Sequence, residues 1–339
     1  MQLEDADWPT FGWTTDMRPA LRFARDRRRQ VVLGTLVRVD GPSPRPAGSQ
    51  MLFDQERAIG YFSGGCLEAD VANHARHVLE EGTSRRLVYG RGSPWIDIRL
   101  LCGGTLEIAL ERIDPDDPSV AALLELSQVR RPACWTSGVG GRRVDAAESS
   151  HPLLRYGSED YALRHDPPYR VVIIGGDPFT LALASLSASA GFETVIVRPD
   201  GPPGPPPLRD VLYLHDRPAA AINTLFLDRW TAIVTATHND ELDDAALITA
   251  LRAETSYVGV LGSASRTAAR RERLMQAGLT PTLIAALHAP IGAARCGKAP
   301  WEVAVSVLAD IMQVRTDQLT FSDRGQAVCN TREAQRLSL

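Results

Sequence analysis

Two cysteines stand beside glycine pairs. In "YFSGGCLEADV" (61–71), Cys66 follows Gly64 and Gly65 and opens a stretch with helical spacing; in "LLCGGTLE" (100–107), Cys102 precedes Gly103 and Gly104. The positive end of a helix lowers the pKa of a thiol and favours the reactive thiolate. The glycines leave the approach to each sulfur open. Two thiolates in one crevice could hold a soft metal or a sulfur-rich ligand. A structural zinc site fits less well, because the cysteines are 36 positions apart and no paired C-x-x-C knuckle accompanies them. The competing reading is that each cysteine is a small buried hydrophobe.

A third element is "GPSPRPAGSQM", where Arg45 lies between two prolines. A guanidinium presented on a stiff loop suits a phosphate, because its fork of donors matches phosphate oxygens. A surface arginine in a turn is the alternative.

The second half carries a different kind of site. "VVIIGGDPFTLAL" reads as a buried strand, a tight turn and a helix, the place where a dinucleotide fold keeps its phosphate turn. Gly175 fits the first glycine of G-x-G-x-x-G and Gly176 follows it, but Asp177 takes the place of the second glycine. A carboxylate there meets a phosphate with its own charge. Arg198 stands where an acidic residue would hold a ribose. NAD in the standard mode is therefore not expected. "TATHNDELDD" puts His238 just after another strand, and "GVLGSASR" puts Gly262 and Ser263 after a third. Helix-start amides in the latter could take a phosphate.

The elements that must position these residues fall into two classes. The first half reads as mixed α+β: a helix over 17–29, a strand at 31–39, a hairpin from "MLF" and "AIGYF", a helix from Leu67 to Glu80 ending at Gly82, strands "RRLVYG" and "TLEIALERI", a helix near 119–129 and a hairpin around "SGVGGRR". After a polar stretch the pattern changes to strand–helix alternation: "YRVVIIGG", a helix at 178–190, "ETVIV", "AIVTAT", "YVGVLGS", "LIAALHA" as a further strand, and the amphipathic "PWEVAVSVLADIMQVR". That alternation predicts a Rossmann-like, doubly wound parallel sheet. The expected domains are 1–145, a linker at 146–168, a Rossmann-like domain at 169–320 and a polar tail at 321–339.

Composition bounds the function. The 339 residues carry a formal charge of −4, which argues against a nucleic-acid binder held by bulk charge. Lys298 is the only lysine, so Schiff-base and Walker-type lysine chemistry have almost no candidate. The five cysteines are odd in number and widely spaced, which fits free thiols in a reducing cytoplasm. The start of the chain lacks the pattern of a signal peptide, and no apolar run is long enough to span a bilayer.

The motifs "GPSPRPAGSQM", "GYFSGGCLEADV" and "LLCGGTLEI" resemble the N-terminal domain of the XdhC/CoxI family, the xanthine dehydrogenase accessory proteins. "VVIIGG", "THNDELD", "YVGVLGSASR", "HAPIGA" and "PWEVAVSVLADI" resemble that family's Rossmann-like domain, in the same order, over about residues 17 to 315. The resemblance implies a cytoplasmic chaperone, often dimeric, for the molybdenum cofactor in its molybdopterin or dinucleotide form. It implies sheltering of the cofactor, help with its sulfuration, and delivery to a molybdenum hydroxylase such as xanthine dehydrogenase or an aldehyde oxidoreductase. A cysteine desulfurase would be a further partner; nucleic acid and membrane would not. The implied cofactor contacts are Arg45, Gly64, Gly65, Cys66, Glu68, Cys102, Gly103, Gly104, Gly175, Gly176, His238, Gly262 and Ser263, with Cys66 and Cys102 as metal ligands. Two departures concern the second half: "GGDPF" replaces a glycine-x-glycine turn, and "GAARCGKAPWE" replaces "GLDIGA-x-TPEE", with Ala294 at the acidic position and Cys296 beyond it. An enzyme is the alternative, either a nicotinamide-dependent oxidoreductase or a sulfur transferase working through a cysteine persulfide. A third is a structural partner of a molybdoenzyme with no ligand of its own.

Overall fold

The computed structural model of the chain describes residues 10–11, 14–63, 66–91, 103–293 and 296–336, with side chains from 14 to 318 apart from Cys66. Gly64, Gly65, Cys102 and Ala294 lie outside the described residues. The chain divides into two compact units, Met1–Pro167 and Pro168–Leu339.

Unit 1 opens with β1 (Thr10–Phe11), α1 (Arg18–Asp26), β2 (Val31–Asp40), β3 (Gln50–Phe53), β4 (Ala58–Ile59), α2 (Cys66–Glu81), β5 (Arg85–Tyr89) and β6 (Thr105–Ile113). The strands form a sheet in the order β1-β4-β3-β2-β6-β5. The pairs are antiparallel except β1 with β4. Along α2, Leu67, Val71, Ala75 and Val78 recur at helical spacing and are buried against Val32, Leu36, Leu87 and Ile108 of the sheet. Each such side chain contributes about 1.5–3 kcal/mol by leaving water, save the smaller alanine. Gly82 ends the helix at φ +73°, where a side chain would be strained.

The rest of unit 1 is α3 (Pro118–Gln128), β7 (Ala133–Gly138), β8 (Gly141–Ala146), β9 (Leu154–Tyr156) and β10 (Tyr161–His165). These strands make a second sheet in the order β8-β7-β10-β9. Trp135, Tyr161 and Leu163 of this sheet share a core with α1, α3 and β2. The stretch 146–168, expected as an irregular linker, therefore contains strands of unit 1. It reads as polar because Arg164 is buried with its charge satisfied: Nη1 donates to the carbonyl oxygens of Ser149 (2.7 Å) and His151, and Asp166 lies 2.8 Å from Nε.

Unit 2 comprises β11 (Arg170–Gly175), α4 (Pro178–Ser189), β12 (Glu193–Val197), β13 (Val211–Leu214), α5 (Pro218–Thr224), β14 (Thr231–Ala236), α6 (Asp240–Arg252), β15 (Tyr257–Val260), α7 (Ala264–Gln276), α8 (Pro281–Ala285), β16 (Leu287–His288) and α9 (Pro300–Arg336). All sheet pairs are parallel, in the order β13-β12-β11-β14-β15-β16. This is the doubly wound Rossmann arrangement, with the order reversing between β11 and β14. β11 is buried throughout, as a strand covered on both faces must be. One core lies under α4 and α9, the other under α5, α6 and α7. Two expectations change. "LIAALHA" splits between α8 and the two-residue β16, because Thr280 caps a helix (Leu283 N–H to Oγ1, 3.3 Å) that Pro281 opens. The polar tail from 321 continues α9 to Arg336. Lys298 is exposed two residues before that helix begins. Among the described residues no helix is long and apolar enough to cross a membrane.

Candidate functional site

In unit 1 the register of the six-stranded sheet sets the geometry. Asp40 pairs with Thr105, Tyr89 with Leu106, and Gln50 with Thr35. The connections 41–49 and 90–104 therefore leave the same edge of the sheet. The chain that follows β4 passes the same edge, since Gly60 lies against the carbonyl oxygen of Gln50. The described glycines of these connections, Gly41, Gly60, Gly90 and Gly104, thus lie along one edge of the sheet.

Glycines make that meeting feasible. A Cβ on Gly104 would stand 2.7 Å from the Pro42 carbonyl oxygen and 3.1 Å from that of Asp40. A Cβ on Gly90, at φ +93°, would overlap the Gly104 carbonyl. Gly104 is therefore threaded between the start of the loop carrying Arg45 and the end of β5. Gly103, at φ +68°, has open space where its side chain would be.

Arg45 reaches back over the ring of Tyr61, with Cζ 4.9 Å from the centroid. Its backbone N–H donates to Ser43 Oγ at 3.3 Å. Its Nε is buried and has no hydrogen-bond partner among the described residues. A buried donor left this way is costly unless a ligand supplies the acceptor. Tyr61 had no place among the residues singled out from the sequence; its position beside "FSGGC" was the available signal.

Glu68, 5% exposed, holds the chain that leads into Gly64 and Gly65. Its Oε1 accepts from the Phe62 and Ser63 N–H groups at 2.8 and 2.6 Å, and its Oε2 from Ser63 Oγ at 2.9 Å. This is a capping-box carboxylate near the start of α2, reaching back past the turn. Two residues further on, Asp70 accepts from the buried Tyr89 hydroxyl at 2.6 Å, and His74 Nε2 lies 3.6 Å from the same oxygen. Burial and the Asp70 carboxylate push the Tyr89 hydroxyl well above its usual range, so it stays a donor. The helix that begins at Cys66 is pinned to the connection before it and to the end of β5. The Cys66 side chain and Cys102, the expected thiolates and metal ligands, lie outside what the structure describes.

In unit 2 the C-terminal ends of the strands carry the other expected residues. Gly175 is packed so that a Cβ would meet Thr180 Oγ1 at 2.6 Å and the Ala236 carbonyl oxygen at 2.8 Å. Asp177 caps α4: its Oδ1 accepts from the Thr180 N–H and hydroxyl, both at 2.8 Å. Its Oδ2 lies 3.1 Å from His238 Nε2, across the point where the strand order reverses. His238 sits at φ +60°, a sparsely populated conformation for a residue with a side chain. Gly262 and Ser263 follow β15 at the same edge, and Ser263 Oγ is 2.8 Å from Ser265 Oγ.

The acidic residues of "HNDELDD" serve the fold. Asp240 and Asp243 lie 3.0 and 3.4 Å from Arg270 Nη2, and Asp244 lies 3.4 Å from its Nε. Asp240 also pairs with Arg266 at 2.7 Å. Burial raises the Asp243 carboxyl, while Thr237 and Arg270 hold it down in part. Among the described residues no group of three or more histidines, cysteines or acids is arranged to hold a metal ion.

Both regions have relatives among known proteins. Residues 24–90 match the XdhC and CoxI family, and residues 171–311 match the XdhC Rossmann domain. The molybdenum cofactor insertion chaperone PaoD of Escherichia coli is 30% identical over 315 residues, which cover 90% of this chain and 91% of that one. A Bacillus subtilis protein, named as a probable component of xanthine dehydrogenase, is 28% identical over 85% of this chain and 94% of its own. A crystal structure from Bacillus halodurans, described as a xanthine dehydrogenase, has the same fold, with a TM-score of 0.69 at 23% identity over 88% of this chain and 96% of that one. The chain belongs to the XdhC/CoxI family.

Proposed function

We propose that this protein is a molybdenum cofactor insertion chaperone, and that unit 1 holds the cofactor where its three glycine-bearing connections meet. The observation that carries this is Arg45, whose buried Nε, without a hydrogen-bond partner among the described residues, sits on a proline-stiffened loop beside Tyr61. The residues fit the group. Arg45 supplies donors for a phosphate ester, and the open space at Gly103 admits a ligand close to the backbone. Cys66 and Cys102 offer soft donors from the connections that meet there. When bound, the cofactor brings a dithiolene-held molybdenum with an exchangeable sulfido ligand. The chain's own part is to bind, orient and shelter it, and Glu68 and Asp70 keep the α2 end of the site in place.

The relatives' names support this role. On the same reading, the chain aids sulfuration, with a cysteine desulfurase as sulfur source. It delivers the cofactor to a molybdenum hydroxylase, of xanthine dehydrogenase or aldehyde oxidoreductase type. It works in the cytoplasm as a homodimer.

The test is the molybdenum and pterin content of protein purified anaerobically from a host that makes the cofactor. Wild type should carry both, and the Cys66→Ala, Cys102→Ala double variant should lose them. Equal content in the two would remove the cysteines from the reading, and no cofactor in wild type would overturn the carrier role.

A further inference from the structure

Arg198, at the end of β12, stands at the unit 2 crevice, and neither the fold nor the proposed carrier role employs its charge. Its backbone is fixed on both sides: its N–H donates to the Leu214 carbonyl at 2.9 Å, and its carbonyl accepts from the Gly201 N–H at 3.2 Å. Its side chain runs across the phosphate turn. A Cβ on Gly176 would overlap the Arg198 arm around Nε, and a Cβ on Gly201 would stand 2.6 Å from Arg198 Cδ. Gly176 thus makes room for this side chain, and Gly201 makes room for it and for the Tyr213 hydroxyl. Among the described residues no carboxylate or carbonyl pairs with its guanidinium, although exposed Asp200 is two residues away.

The usual anion position next to it is already taken. In a standard dinucleotide fold, the first-turn N–H groups of the helix after the first strand receive the pyrophosphate. Here the Asp177 carboxylate takes one of them, the Thr180 N–H, puts its own negative charge at the helix end and turns its second oxygen to His238. Positive charge at the β12 end and negative charge at the α4 end reverse the pattern of an NAD site, where the β12-type position is acidic and the helix end is free.

We propose that the unit 2 crevice is a site for an organic phosphate monoester, with the phosphate on Arg198, and that Asp177 excludes dinucleotides whose only phosphate is a central pyrophosphate. A dianionic monoester suits a forked guanidinium better than a diester does. The hydroxyl or amino groups of the same ligand find their acceptor in Asp177. The inference goes beyond the carrier role and does not depend on what unit 1 holds.

The experiment is calorimetry on the cofactor-free full chain with six probes: inorganic phosphate, AMP, CMP, a pterin monophosphate, NADP+ and NAD+. At least one organic monoester should bind, and which one identifies the source of the phosphate. NAD+ should not bind. Arg198→Gln keeps much of the length of the arm and should weaken that monoester by about tenfold or more. Asp177→Ser keeps a helix cap and should admit NAD+. Thermal melts of both variants separate loss of the site from loss of the fold. The proposal is overturned if wild type binds no organic monoester, if inorganic phosphate binds as tightly as all of them, or if folded Arg198→Gln binds unchanged. Unaltered exclusion of NAD+ by folded Asp177→Ser would overturn the role of Asp177.

Discussion

At the scale of single residues, two side chains make sharp predictions. Glu68 satisfies two backbone N–H groups ahead of Gly64 and Gly65, and its removal would leave donors unpaired in a buried place. Glu68→Ala should cost roughly 2–3 kcal/mol in urea unfolding, and it should lower cofactor content beyond any loss of folded protein. Glu68→Gln, which keeps an acceptor oxygen, should fall between. His165, in β10 beside Trp135, is held neutral: burial, then Arg18, push its pKa down to about 4, with Asp16 opposing in part. Its contribution to stability is whole above the ordinary histidine pKa of 6.5, where neither folded nor unfolded chain is protonated. It declines as the pH falls from there to about 4, because only the unfolded chain takes the proton, and the total loss is on the order of 3 kcal/mol. Urea midpoints measured across that window should fall in wild type and fall less in His165→Gln. A midpoint as steep in the variant would assign the pH dependence to other groups.

At the scale of elements, residues 40–42, 90 and 104 cross closely beside the site proposed for unit 1. Gly90→Ala meets both an unfavourable φ of +93° and the Gly104 carbonyl, so it should destabilise by roughly 2 kcal/mol or more. Gly103→Ala also has a positive φ but open space, and should cost less than Gly90→Ala in the same thermal melts. This is where the sequence was legible only in part. The glycine pairs and Arg45 drew attention to these connections, because glycine beside cysteine is a local pattern. That the three connections share one sheet edge follows from strand register, which links Asp40 to Thr105 and Tyr89 to Leu106 across long separations. β11 and β14 were plain from their unbroken apolar runs. β9 and β10 were hidden because Arg164 pairs its charge internally and so looks like a surface residue. The acids of "HNDELDD" likewise find their partners on α7, far along the chain, where no short motif could point.

At the scale of the whole chain, the division at Pro167 and Pro168 separates two sets of cores. The cores of unit 1 draw on residues 17–163, and those of unit 2 on residues 169 onward. Residues 168–339 expressed alone should therefore give a cooperative melt, and should bind the same organic phosphate as the full chain with the same loss on Arg198→Gln. A fragment that fails to melt cooperatively would mean that the second unit needs the first to fold.

The single lysine has a practical consequence. Lys298 is exposed just ahead of α9 and two residues from the exposed thiol of Cys296. An amine-selective cross-linker has, besides the α-amino group, one side chain to attack. An adduct through Lys298 recovered with a client enzyme would therefore locate the contact at the entrance to α9, where mass spectrometry of an ordinary lysine-rich protein would return many competing positions.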